Sequence, residues 1–217
     1  GQTGFWTLPS ASSLVESGVT VEMDAHGLLR NINDAARVAP FQPWAKDLYV
    51  LRQSNYLKDD PSFLFCTPPG GPRQFQVPYG LQFVEERDRN RIFVLMGGGN
   101  GNWRIINTDG REQVGQVTGN DDNPLFYGQS IAQWDGDTLV IDTKGFNAGF
   151  WFSNGGLPHT TQLHLIERIS RPDLNTLRYE VLIDDPGAYT RSWISSWDLQ
   201  WAPGIEMPEY YCQDNRP

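Results

Sequence analysis

From residue 79 onward the chain is cut into short apolar runs by turn signals at close intervals, and this limits what it can fold into. Residues 80–86 and 91–96 flank Arg87-Asp88-Arg89-Asn90. A Gly/Asn loop at 97–102 precedes a run at 103–107, and Asp109-Gly110 reads as a hairpin signal leading into 111–117. Asp135-Gly136 is a second such signal, between 128–134 and 138–142. Residues 163–170 and 176–183 flank Arg171-Pro172-Asp173-Leu174-Asn175, and 192–201 forms a last, Trp-rich strand. The expected fold is all-β: an antiparallel barrel of about eight or more strands, since closure removes exposed strand edges. No βαβ unit and no regular repeat occurs, which excludes a Rossmann fold, a TIM barrel and a propeller. A barrel of that size holds one small ligand in its interior.

Upstream, residues 5–8 read as a first strand, and Ser10-Ala11-Ser12-Ser13-Leu14-Val15-Glu16 offers a cap and a short helix. Apolar residues at helical spacing predict a helix from Trp44 to about Asn55, with Pro43 in its first turn and Asp59-Asp60-Pro61 as its stop. Residues 66–78, rich in Pro and Gly, read as an irregular ordered loop. The expectation is one domain over 1–217, with 1–60 an N-terminal segment whose short helix packs on the barrel.

A formal net charge of −9 argues against nucleic acid and anionic membrane surfaces as partners. No run of about 18 apolar residues is present, so no spanning helix is expected. The sequence begins Gly1-Gln2-Thr3, with neither Met nor a hydrophobic leader, and reads as a mature or trimmed form. Cys66 and Cys212 are the whole thiol inventory. They read either as one disulfide formed in an oxidising compartment or as two unrelated buried thiols. The disulfide reading implies a secreted or periplasmic protein. An oligomer is compatible with the composition.

The densest collection of reactive groups lies at residues 142–168, where a loop of roughly twenty residues joins two strands. Phe146, Phe150, Trp151, Phe152 and Leu157 argue that this loop is packed, as one wall of a binding site. His159 is the candidate proton-transfer group, Asp142 its orienting carboxylate, and Glu167 an inward carboxylate on a face shared with Leu165 and Ile169. Arg168 and His164 are candidate ligand contacts, with Trp151, Phe150, Tyr189 and Trp193 as aromatic lining. Each has a plainer reading: His159 holding a backbone carbonyl, Asp142 capping a turn, Glu167 in an inter-strand ion pair, the aromatics as core. His159 and His164 are five apart and point to opposite faces of an extended segment, so no shared metal is expected. The Gly97–Gly101 run lacks the P-loop lysine and no helix follows it, so no phosphate-bearing cofactor is expected either.

Several stretches resemble a large family of exported bacterial proteins. They are Cys66-Thr67-Pro68-Pro69-Gly70-Gly71-Pro72-Arg73, Trp134-Asp135-Gly136-Asp137-Thr138-Leu139-Val140-Ile141-Asp142-Thr143, Gly156-Leu157-Pro158-His159-Thr160, and Asp185-Pro186-Gly187-Ala188-Tyr189-Thr190-Arg191-Ser192-Trp193. Glu209-Tyr210-Tyr211-Cys212-Gln213-Asp214-Asn215 also matches, and the resemblance covers about residues 60 to 215. The resemblance implies a lipocalin-like, calycin-type barrel outside the cytoplasm. A weaker similarity reaches fungal dehydrating hetero-Diels–Alder cyclases, which keeps lyase, cyclase or isomerase chemistry in view. The leading expectation is a barrel that binds a small apolar or aromatic molecule and acts on it by acid/base chemistry. The alternatives are a carrier without turnover and a structural or surface-assembly protein.

Overall fold

The computed structural model describes residues 3–8, 14–24, 26–56, 58–76, 79–98, 101–113, 125–210 and 212. Among them nine strands follow one another around a closed barrel in chain order. These are β1 (Gly4–Thr7), β2 (Leu81–Glu86), β3 (Arg91–Met96), β4 (Trp103–Asn107) and β5 (Gln129–Asp135). They continue with β6 (Thr138–Lys144), β7 (His164–Ser170), β8 (Thr176–Asp184) and β9 (Trp193–Pro203). β1 closes the ring by pairing with both β2 and β9. Its Gly4 lies so close to β9 that a Cβ there would sit 2.4 Å from the Trp201 ring.

The all-β barrel expected from the turn spacing is present, but it is not purely antiparallel. β4 and β5 run parallel through Ile106↔Ser130 and Asn107↔Ile131. Parallel neighbours need a connection of about a dozen residues or more, and residues 108–128 separate the two strands in the sequence. Asp109-Gly110 is therefore a turn without being a hairpin. Its carboxylate accepts from the Arg111 backbone N–H at 3.2 Å, and residues 111–113 are not strand. The rest of the strand expected at 111–117 lies outside the described residues. Asp135-Gly136 does close a hairpin, joining Asp135 to Thr138 with Gly136 at φ +59°.

Strict alternation puts the core inside the ring. Ile92, Val94 and Met96 point inward on β3, Leu139, Ile141 and Thr143 on β6, and Leu177, Tyr179, Val181 and Ile183 on β8. Large inward residues face small ones: Tyr179 and Trp197 lie in the same interior as Ser130, Ala132 and Ser195.

Short helices gather at the end of the barrel where β6 leaves and β7 returns. α1 (Ala35–Val38) precedes α2 (Pro43–Ser54), which begins at Pro43 as its sequence requires, and α3 (Pro61–Leu64) is capped by Asp60. Of the helix expected at Ser10–Glu16, residues 10–13 lie outside the described residues, and residues 14–16 carry no regular structure. α2 buries Ala45, Tyr49 and Gln53, one face at i, i+4 and i+8. That face meets the loop 145–163: Gln53 Nε2 donates to Gly155 O at 2.7 Å, and Arg52 Nη1 to Gly156 O at 3.1 Å. Among the described residues no helix is long and apolar enough to cross a membrane.

Candidate functional site

The two ends of the barrel differ. At the end where β6 gives way to β7, the interior is filled by the 3-10 turn Gly71–Phe75 and by the loop 145–163. Phe75 stacks on Tyr179 at 4.2 Å, and its carbonyl accepts from Trp197 Nε1 at 3.3 Å. Arg73 fastens this plug. Its guanidinium grips Asp60 at 2.6 and 3.0 Å and reaches Asn154 Oδ1 at 3.0 Å, so α3, the plug and the loop are bound together. Cys66 and Cys212 form a disulfide with Cα atoms 5.8 Å apart, tying the tail to the segment that leads into the plug.

The loop 145–163 is packed, as its aromatic content requires. Phe146, Phe150, Trp151, Phe152 and Leu157 are all buried. Trp151 carries the Arg52 guanidinium over its ring at 4.9 Å. His159 is buried among them, 4.2 Å from the Phe150 ring centre and 5.6 Å from that of Phe152. Both of its ring nitrogens face backbone carbonyls, Nδ1 that of Thr160 at 3.1 Å and Nε2 that of Phe150 at 3.0 Å. Burial lowers its pKa; the two carbonyls and Asp185 pull the other way without reversing the shift. Tyr189 donates to Pro158 O at 2.8 Å and meets Trp193 edge-on at 5.3 Å. Asp185 takes the Thr160 N–H and hydroxyl, each at 2.6 Å, and closes the joint between this loop and the turn after β8.

The other expected site residues do not gather around His159. Asp142 lies on the outer face of β6 and bonds His164 Nε2 at 3.0 Å, so the carboxylate expected to orient His159 orients its neighbour on β7 instead. The register explains this: Asp142 pairs with Ile166, and His164 lies on the same outer face one step along. Arg168 also points outward and holds Asp135 at 2.9 Å, toward the opposite end of the barrel.

Glu167 does point inward, and it is fully buried. It meets Arg104, a residue the sequence reading passed over. Arg104 Nη1 donates to Glu167 Oε1 at 2.9 Å, and Nη2 bonds Oε2. Nε reaches Ser130 Oγ at 2.9 Å, and Thr143 Oγ1 accepts from Nη2 at 2.7 Å. Tyr179 donates its phenol to Glu167 Oε1 at 2.8 Å. Burial holds that phenol well above the ordinary tyrosine range, and the Glu167 charge adds to the effect. For Arg104 burial works against the charged form, yet Glu167 more than offsets it and the pKa rises. The signal for Arg104 was in its parity: an Arg at the inward position two residues before Ile106 needs a buried carboxylate.

The opposite end of the barrel is open. There the strands enclose a cavity of about 670 Å³. Its inner wall is apolar: Trp6, Ile92, Leu139, Ile169, Leu177 and Trp201. Glu85, Asp137 and Arg171 stand among its lining side chains. Trp134, on the β5–β6 hairpin, also lines it and is 63% exposed. No sequence motif marks this cavity, because its lining comes from most of the strands around the ring. None of His159, Asp142 and Glu167 lines it. Among the described residues no group of three or more His, Cys, Asp or Glu side chains is placed to hold a metal ion. No family model, curated protein or solved structure matches this chain.

Proposed function

We propose that this protein is an exported, lipocalin-like β-barrel that carries a small, largely apolar or aromatic molecule in the open mouth of the barrel. The observation that carries the reading is the cavity of about 670 Å³, a volume in the range of small-molecule sites, with a Trp- and aliphatic-lined wall and few polar groups. A barrel plugged at one end and open at the other gives a ligand one route in and out. The disulfide between Cys66 and Cys212 supports an oxidising compartment, and the resemblance to exported lipocalin-like proteins supports the same placement.

Binding without turnover fits the geometry better than acid/base catalysis. His159 has both ring nitrogens on carbonyls, and Glu167 spends its oxygens on Arg104, Thr143 and Tyr179. Neither lines the mouth cavity. The test is titration with an uncharged aromatic probe, N-phenyl-1-naphthylamine, read by probe fluorescence and by quenching of protein tryptophan. Saturable binding that weakens in Ile169→Trp, which fills the cavity, is the expected result. Absence of binding, or binding indifferent to Ile169→Trp, overturns the assignment.

A further inference from the structure

We propose that the mouth cavity selects organic cations, molecules with an aromatic or apolar body and an ammonium group, over neutral and anionic analogues of the same shape. This rests on the carrier reading above and names its ligand class.

Two observations point the same way. The first is the supply of π faces. Trp6, Trp201, Trp134 and Phe83 all line the cavity, and Trp6 and Trp201 meet edge-on at 5.1 Å. One of these rings already carries a cation: the Arg171 guanidinium lies 5.2 Å from the Trp6 centroid. The fold thus already realises the cation-over-ring geometry at this mouth.

The second observation is the balance of charge. Glu85 on β2 and Asp137 in the β5–β6 turn face the cavity from strands well apart around the ring. Asp137 has no ion-pair partner among the described residues. Glu85 has only Arg87 at 2.9 Å, and that pair is open to water on both sides, with side chains 57% and 85% exposed. The one lining cation, Arg171, is held to the wall by Trp6 and by a 2.6 Å bond to Leu174 O. An entering ammonium finds two carboxylates and the exposed Trp134 ring among the lining aromatics. An entering carboxylate finds both carboxylates against it and one guanidinium, which lies on the Trp6 ring and gives one N–H to Leu174 O. The net charge of −9 draws cations toward the molecule in the same sense.

The experiment uses three molecules sharing one ring and chain: 2-phenylethylammonium, 2-phenylethanol and phenylacetate, titrated into the intact protein at neutral pH by calorimetry. The expected order is ammonium, then alcohol, then carboxylate, with roughly tenfold between the first two. Added salt narrows that gap, and the double variant Glu85→Gln/Asp137→Asn pulls the ammonium toward the alcohol. The alcohol or the carboxylate binding as tightly as the ammonium overturns the cation inference while leaving a carrier of apolar molecules. A preference for the ammonium that the double variant does not change overturns the assignment to Glu85 and Asp137. Failure of all three molecules, together with failure of N-phenyl-1-naphthylamine, overturns the carrier reading as well.

Discussion

Arg104 and Glu167 face each other across the barrel interior with both side chains withdrawn from water, Nη1 2.9 Å from Oε1. They lie beside one of the two thin seams of the ring, the other being the single pair Trp6↔Leu81 between β1 and β2. Arg104 sits on β4 and also holds Ser130 on β5, where only two residue pairs join the parallel strands. Removing one partner strands the other charge in the interior, at a cost of about 3–5 kcal/mol. Arg104→Met and Glu167→Leu are each expected to destabilise by that amount in urea unfolding. The double variant is expected to lose less than the sum of the two. Additive losses would show that the two charges do not act as a unit.

His159 gives stability a pH dependence whose sign follows from its lowered pKa. The unfolded chain takes up a proton near the ordinary value of 6.5, which the buried imidazole resists. The contribution of His159 is therefore fully present above about pH 6.5 and is lost as pH falls through the folded value. The charged groups acting on it are Asp185, which opposes the shift, and Arg52, which adds to it. Urea unfolding across this range should show a steeper loss on acidification in the wild type than in His159→Gln, whose amide still donates to a carbonyl. Equal slopes would remove His159 as the source.

The disulfide closes a loop over a sequence separation of 146 residues. In the chain-entropy model a loop of that length restrains the unfolded chain by about 5 kcal/mol, less any strain. Cys66→Ala/Cys212→Ala is expected to unfold at markedly lower urea concentration. Non-reducing peptide mapping of the wild type should recover the two cysteines in one linked peptide. Two free thiols would refute the bond.

The barrel was legible because strand alternation and turn residues are local. The helix at Pro43–Ser54 and the hairpin at Asp135-Gly136 were readable for the same reason. The inward direction of Glu167 followed from its shared face with Leu165 and Ile169, but its partner did not, since Arg104 lies 63 residues away. Asp109-Gly110 misled because a turn signal fixes a change of direction and not which strand lies next. His159 stands out in the sequence, yet its surroundings depend on how the loop folds back onto Phe150. A ligand space inside the barrel was expected, but the place and lining of the mouth cavity were not legible. Its apolar residues each read alone as core, and only closure of the ring assembles them beside Glu85, Asp137 and Arg171.

The cavity also predicts that two inward positions on one strand differ in their tolerance of bulk. Leu177 and Val181 both point into the barrel from β8. Leu177 lines the mouth cavity, whereas Val181 is fully buried and paired with Glu167 and Ser195. A Phe at 181 must displace packed neighbours beside the Arg104–Glu167 network, and overpacking of this kind costs about 1–3 kcal/mol. A Phe at 177 can extend into open space, so Leu177→Phe is expected to leave the urea midpoint nearly unchanged. The same substitution narrows the cavity, and the affinity for N-phenyl-1-naphthylamine should fall. The two variants, measured side by side by unfolding and by probe titration, separate a true cavity from a tightly packed end. Equal destabilisation by both would mean that the mouth is as tightly packed as the interior and has no room for a ligand.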